Sequence, residues 1–103
     1  MNIDIQTEHV LMQPGWRHMI DEWVTRCARY HPDVVGIDLR LRHAERVHPR
    51  EQVAVVAISG RRKLRAAKQA DLMAVALHGA LDALEQELLL HEAAGYGAWR
   101  GPR

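Results

Sequence analysis

Residues 36–42, Gly-Ile-Asp-Leu-Arg-Leu-Arg, alternate apolar and polar without a break. A period of two puts Ile37, Leu39 and Leu41 on one face of a strand and Asp38, Arg40 and Arg42 on the other. Such a strand needs cover on its apolar face and leaves the other to solvent. The segments around it supply that arrangement. Asn2–Thr7 alternates, with Ile3 and Ile5 on one side. Gln52–Ile58 is rich in Val, Ile and Ala and reads as a central strand, with Ser59-Gly60 as the turn after it and Arg61–Lys68 as a further strand. His43–Glu51, with Pro49, reads as a loop. Two stretches switch to the helical period. In the first, Pro14 opens a helix whose stripe is Trp16, Met19, Ile20, Trp23, Val24 and Cys27, and Pro32 stops it. In the second, Asp71 caps a helix reaching about Ala94, where Gly95 and Gly97 end it. Its apolar arc holds Leu72, Ala76, Ala80, Ala83 and Leu84, widened by Met73, Leu77, Leu81 and Leu88. The order is βαβββα, an α+β fold: a four-stranded sheet with both helices packed on one face. Residues 1–94 form one domain and 95–103 a Gly-rich flexible tail.

The 103 residues suit one domain, and 48% hydrophobic residues suit one modest core. Phe is absent, so aromatic packing falls to Trp16, Trp23, Trp99, Tyr30 and Tyr96. Cys27 stands alone, which excludes an internal disulfide and a multi-cysteine zinc site and suits a reducing cytosol. Met1 is followed by alternation, not by the basic end and apolar run of a signal peptide. No apolar run is long enough to span a bilayer. The net charge of +1 hides an asymmetry. Residues 1–68 carry twelve Lys/Arg against eight acids, whereas 69–99 carry five acids and no Lys or Arg. An anionic partner is favoured by the first two-thirds of the chain.

Catalytic and metal chemistry find little support. The seven histidines show no His-Glu-x-x-His, and His78 and His91, about 140° apart on one helix, cannot chelate together; all read as surface histidines. Cys27 completes an apolar stripe and reads as a buried structural thiol. Ser59 lacks a Gly-x-Ser-x-Gly frame, and Gly60-Arg61-Arg62-Lys63 lacks phosphate-loop spacing. Asp21 and Glu22 are adjacent and so occupy different helical faces. The expectation is a protein that is not an enzyme and uses no cofactor, metal or small-molecule substrate.

Basic residues mark a second possibility. Arg40 and Arg42 point away from the core; Arg61, Lys63 and Arg65 alternate with Arg62 and Leu64, and Lys68 follows. If the outward faces coincide, four or five cations share the sheet surface opposite the helices. Guanidinium forks match phosphate oxygens, so this face could track an RNA backbone; it could equally be a solvated face whose charges discourage edge pairing. On the first helix Arg26 and Arg29 lie about 60° apart, with Arg17 across the apolar stripe. The second helix carries Asp71, His78, Asp82, Glu85 and Glu92 along one side with Leu89 among them. That face would repel RNA and could dock a basic partner or a second copy of the chain. Tyr96, Trp99, Arg100 and Arg103 could stack on bases.

Three stretches resemble the ribosome hibernation promoting factor / ribosomal subunit interface family: the opening Met1–Val10, Gly15-Trp16-Arg17-His18-Met19-Ile20, and Ala70–Leu77. The resemblance covers roughly residues 1–93. It implies the βαβββα fold, binding to the small ribosomal subunit (16S rRNA) near the decoding region, and inhibition of translation in stationary phase or stress, in the cytoplasm. The chain resembles the short class that lacks a C-terminal dimerisation domain. Arg17 and Arg26 match basic family positions. With the sheet cations, the implied RNA-binding set is Arg17, Arg26, Arg40, Arg42, Lys63, Arg65 and Lys68. Two departures stand out: residues 83–92 are acidic where members carry Lys/Arg, and Trp23 replaces a common Lys. The alternative is a diverged member acting as a protein-interaction module through its acidic last helix.

Overall fold

Alternation and helical stripes become six elements in the computed structural model, which describes the backbone of residues 1–100 and the side chains of residues 1–92. They are β1 (Asn2–Glu8), α1 (Pro14–Tyr30), β2 (Val34–His43), β3 (Glu51–Ser59), β4 (Arg62–Ala70) and α2 (Met73–Arg100). The sheet order is β1-β2-β3-β4. β1 and β2 are parallel, with α1 as their crossover, and the other two pairs are antiparallel. Leu39 faces Val55, and Val55 faces Ala66. This register stacks the apolar residues of three strands on the helix side. Leu39, Leu41, Val53 and Val55 are at most 1% exposed, each burial contributing about 1.5–3 kcal/mol.

α2 covers that face with Met73, Ala76, Leu77, Ala80, Leu81, Leu84 and Leu88, all buried. α1 buries Ile20, Trp23 and Cys27, one per turn. It starts as its sequence indicates: Gln13 is extended, Pro14 takes the first helical position, and the Arg17 N–H donates to the Gln13 carbonyl at 3.0 Å. It ends where the His31 N–H donates to the Cys27 carbonyl at 2.8 Å, since Pro32 has no N–H to continue the ladder. Gly60 turns β3 into β4 at φ +61°, a conformation that costs glycine little.

Both ends of α2 differ from the sequence expectation. The Leu72 carbonyl accepts the first helical N–H, from Ala76 at 3.1 Å, so Leu72 takes the capping position expected for Asp71. The Asp71 carboxylate instead lies 3.5 Å from His48 Nε2. Nor do Gly95 and Gly97 end the helix, which runs on to Arg100. A glycine costs a helix interior about 1 kcal/mol but still donates its N–H; Pro102 is the first residue that cannot. The supposed tail is thus helical over 95–100, and residues 101–103 lie outside the described residues. The proposed base-stacking side chains Tyr96, Trp99, Arg100 and Arg103 also lie outside them.

Candidate nucleic-acid interface

The face of the sheet turned away from the helices is built by register. Gln6, Arg40, Ala54 and Ala67 form one cross-strand row, and Glu8, Arg42, Gln52 and Gln69 the next. On the other side of the Arg40 row lie Asp4, Asp38, Val56 and Arg65, then Asn2, Gly36, Ile58 and Lys63. Arg40, Arg42, Lys63 and Arg65 therefore share one face, all exposed. They sit on β2 and β4 across a low saddle of Ala54, Ala67 and Val56. Strand spacing and rise put the Arg40 and Arg65 Cα atoms about 12 Å apart, and two long side chains can converge over that gap. Arg42 also borders a cleft of about 380 Å³ lined by His9, His43, Glu45 and Arg46.

The remaining candidates do not join them. Lys68 faces Val53, a core residue, so it projects to the helix side of β4. Its stem lies over Gly79 of α2: a Cβ placed on Gly79 would come within 3.2 Å of Lys68 Cγ. The expectation that Lys68 shares the basic face is thereby corrected; parity with Leu64 and Ala66 assigns it to the other side. Arg17 pairs with Asp21 at 3.2 Å on the solvent side of α1, and Arg26 lines a groove between α1 and α2. Neither reaches the outer sheet face.

Of the acids on that face, Asp38 was read from the alternation of β2, whereas Asp4 and Glu8 of β1 were missed. Asp4 and Asp38 are direct neighbours, and Glu8 lies 3.7 Å from Arg42. The alternation of β1 was the signal that could have found them, since Asp4, Gln6 and Glu8 have one parity. Asp38 Oδ1 is buried with no hydrogen-bond partner. A carboxylate oxygen in that position is unfavourable and thins the positive field between the two arginine-bearing strands.

A second polar cluster lies on the helix side. His31, expected at the surface, is only 3% exposed. Its Nδ1–H donates to Glu92 Oε1 at 2.5 Å and its Nε2–H to Glu85 Oε1 at 2.8 Å. Carboxylates only accept, so satisfying both requires the doubly protonated, charged ring. Burial opposes that charge, but the bonds from Glu92 and Glu85 outweigh it and hold the His31 pKa above 6.5. Burial, reinforced by Glu85 and Glu92, pushes the Cys27 thiol up to about 11, which makes it a poor nucleophile. His43 Nδ1 is likewise bonded to the buried Glu51, its cross-strand partner. Two acids of the last helix are thus internal partners of a histidine. Among the described residues, no three His, Cys, Asp or Glu side chains converge as a metal set, and no helix is long and apolar enough to cross a membrane.

The family model for sigma 54 modulation protein / S30EA ribosomal protein matches residues 3–93. The chain belongs to this family. Two solved structures share the family's architecture with it. A ribosomal subunit interface protein from Coxiella burnetii superposes with TM-score 0.76 at 16% identity, over 90% of this chain and 99% of that one. The N-terminal domain of Thermus thermophilus Protein Y superposes with TM-score 0.69 at 16% identity, over 85% of this chain and 96% of that one. At such identity the two likenesses speak to the fold alone. No curated protein sequence matches. The family match agrees with the resemblance read over residues 1–93, and the element order with the fold it implied.

Proposed function

We propose that this protein is a ribosome-associated factor of the cytoplasm that binds small-subunit rRNA through its outer sheet face and inhibits translation under stress or in stationary phase. The observation that carries the reading is the gathering of Arg40, Arg42, Lys63 and Arg65 on the one sheet face that no helix covers, in a chain of this family. Among the described residues Arg40, Lys63 and Arg65 make no ion pair, so their donors are available to phosphate oxygens. The alanines between them let a nucleic-acid backbone approach closely. Asp4, Glu8 and Asp38 oppose it, so binding depends on shape and on a few phosphate contacts rather than on a strong field.

The test is sedimentation with purified small subunits over a salt series, alongside a cell-free translation assay. Each neutralised phosphate contributes about −0.7 to −0.9 to the slope of log K against log salt, so four contacts give roughly −3. Arg40→Glu with Arg42→Glu should weaken binding, cut that slope to roughly half and relieve inhibition. Lys68→Glu, on the other side of the sheet, should do neither. Full binding by the Arg40/Arg42 variant would refute the sheet face. No co-sedimentation at low salt would refute ribosome binding itself.

A further inference from the structure

The helix layer carries a groove whose chemistry is opposite to that of the sheet face. α1 and α2 part over their middle turns and leave a cleft of about 500 Å³, within the size range of binding pockets. Its floor is apolar, from the buried Trp23 and Leu81 with the half-buried Met19. Its rims hold three carboxylates, Glu22 from α1 and Asp82 and Glu85 from α2, against one guanidinium, Arg26. The rims follow from helical spacing: Met19, Glu22, Trp23 and Arg26 line one side, and Leu81, Asp82 and Glu85 the other. Glu85 commits Oε1 to His31 and still borders the groove.

We propose that this groove docks a basic segment of another protein, an arginine- or lysine-bearing stretch whose apolar residues rest on Trp23, Met19 and Leu81. The carboxylates choose the occupant. Among the described residues Asp82 makes no ion pair, Glu22 meets only the exposed His18 at 2.9 Å, and Glu85 engages His31 through one oxygen. A cationic side chain therefore still finds carboxylate oxygens on both rims and an apolar bed for its stem, whereas RNA finds repulsion. Arg26, the one guanidinium lining the groove, opposes such a guest. The inference is independent of the RNA reading, which uses the opposite face. It also relocates the acidic docking surface expected on the last helix, since Leu89 does not line the groove.

The experiment measures binding of a fluorescein-labelled peptide of alternating arginine and alanine to the full chain at low salt, by anisotropy, while NMR follows the Trp23 indole N–H. The peptide should bind and shift that resonance; a peptide of alternating glutamate and alanine should not. Single charge reversals should act in opposite directions: Asp82→Lys weakens binding about fivefold, and Arg26→Glu tightens it by a similar factor. Opposite signs cannot come from unfolding, and circular dichroism confirms that both variants fold. No binding of the arginine peptide, equal affinity in the Asp82→Lys variant, or a Trp23 shift caused by single-stranded RNA would each overturn the proposal. At about 0.15 M salt, where charges are screened beyond about 8 Å, Arg40→Glu with Arg42→Glu should leave peptide affinity unchanged, so failure here and failure of RNA binding are read separately.

Discussion

Replacing His31 with glutamine removes the buried group that donates to both Glu85 and Glu92 while carrying positive charge. Each charge-assisted bond is worth about 1.5–3 kcal/mol net. The Glu85 and Glu92 side chains are 34% and 46% exposed, so water screens both and each bond falls at or below the low end. Burying a charged ring offsets part of the rest. The net loss for His31→Gln near pH 6 is about 2 kcal/mol, or roughly 10 °C in Tm for a domain of this size. The pH dependence carries the sign. The folded pKa of His31 lies above the ordinary 6.5, so its contribution is full below 6.5 and is lost as pH rises through the folded value. Within that window wild-type stability should fall by up to about 1.4 kcal/mol per pH unit relative to the variant. Cys27, the other titrating group beside the cluster, stays neutral there because its thiol is pushed up to about 11. Urea unfolding of both proteins between about pH 6 and pH 9 measures the difference, which cancels the other histidines. Nitrogen chemical shifts of the His31 ring report its protonation directly. Parallel stability profiles, or a ring with only one N–H near pH 6, would refute the charged clamp.

Asp38→Asn removes the negative charge beside Asp4 and supplies an amide N–H that can donate to the Asp4 carboxylate; it should raise stability by about 1 kcal/mol and tighten RNA binding, as denaturation and salt titration would show. Leu84→Ala, at a site with 0% exposure against the sheet, should cost about 2–5 kcal/mol in urea unfolding. The Cys27 thiol is 2% exposed with a pKa of about 11, so labelling by a thiol reagent near neutral pH should proceed only through opening of the fold. A rate that did not fall as the protein was stabilised would contradict its burial.

Much of this architecture was readable one residue at a time, because covalent geometry sets the periods of strands and helices wherever they occur. Ile37, Leu39 and Leu41 had to share a face, as did Arg40 and Arg42; Pro14 and Pro32 had to bound a helix. Counting parity would also have separated Lys68 from Lys63 and Arg65. What no local rule contained was the meeting of distant segments. The parallel register of β1 with β2 sets Asp4 beside Asp38 and Glu8 beside Arg42, so the charge of the sheet face depends on a pairing across a helical crossover. Asp71 looked like a cap by composition, yet where the chain leaves β4 makes Leu72 the cap. The largest departure is at residues 83–92, which looked like an exposed acidic surface. Packing of α1 beside α2 brings His31 to Glu85 and Glu92, separated by 54 and 61 residues, and commits two of those charges to a buried histidine. The sequence by itself determined the elements and which residues of each share a face; only the tertiary structure decided which charges meet, because electrostatic partners are chosen by distance in space and not along the chain.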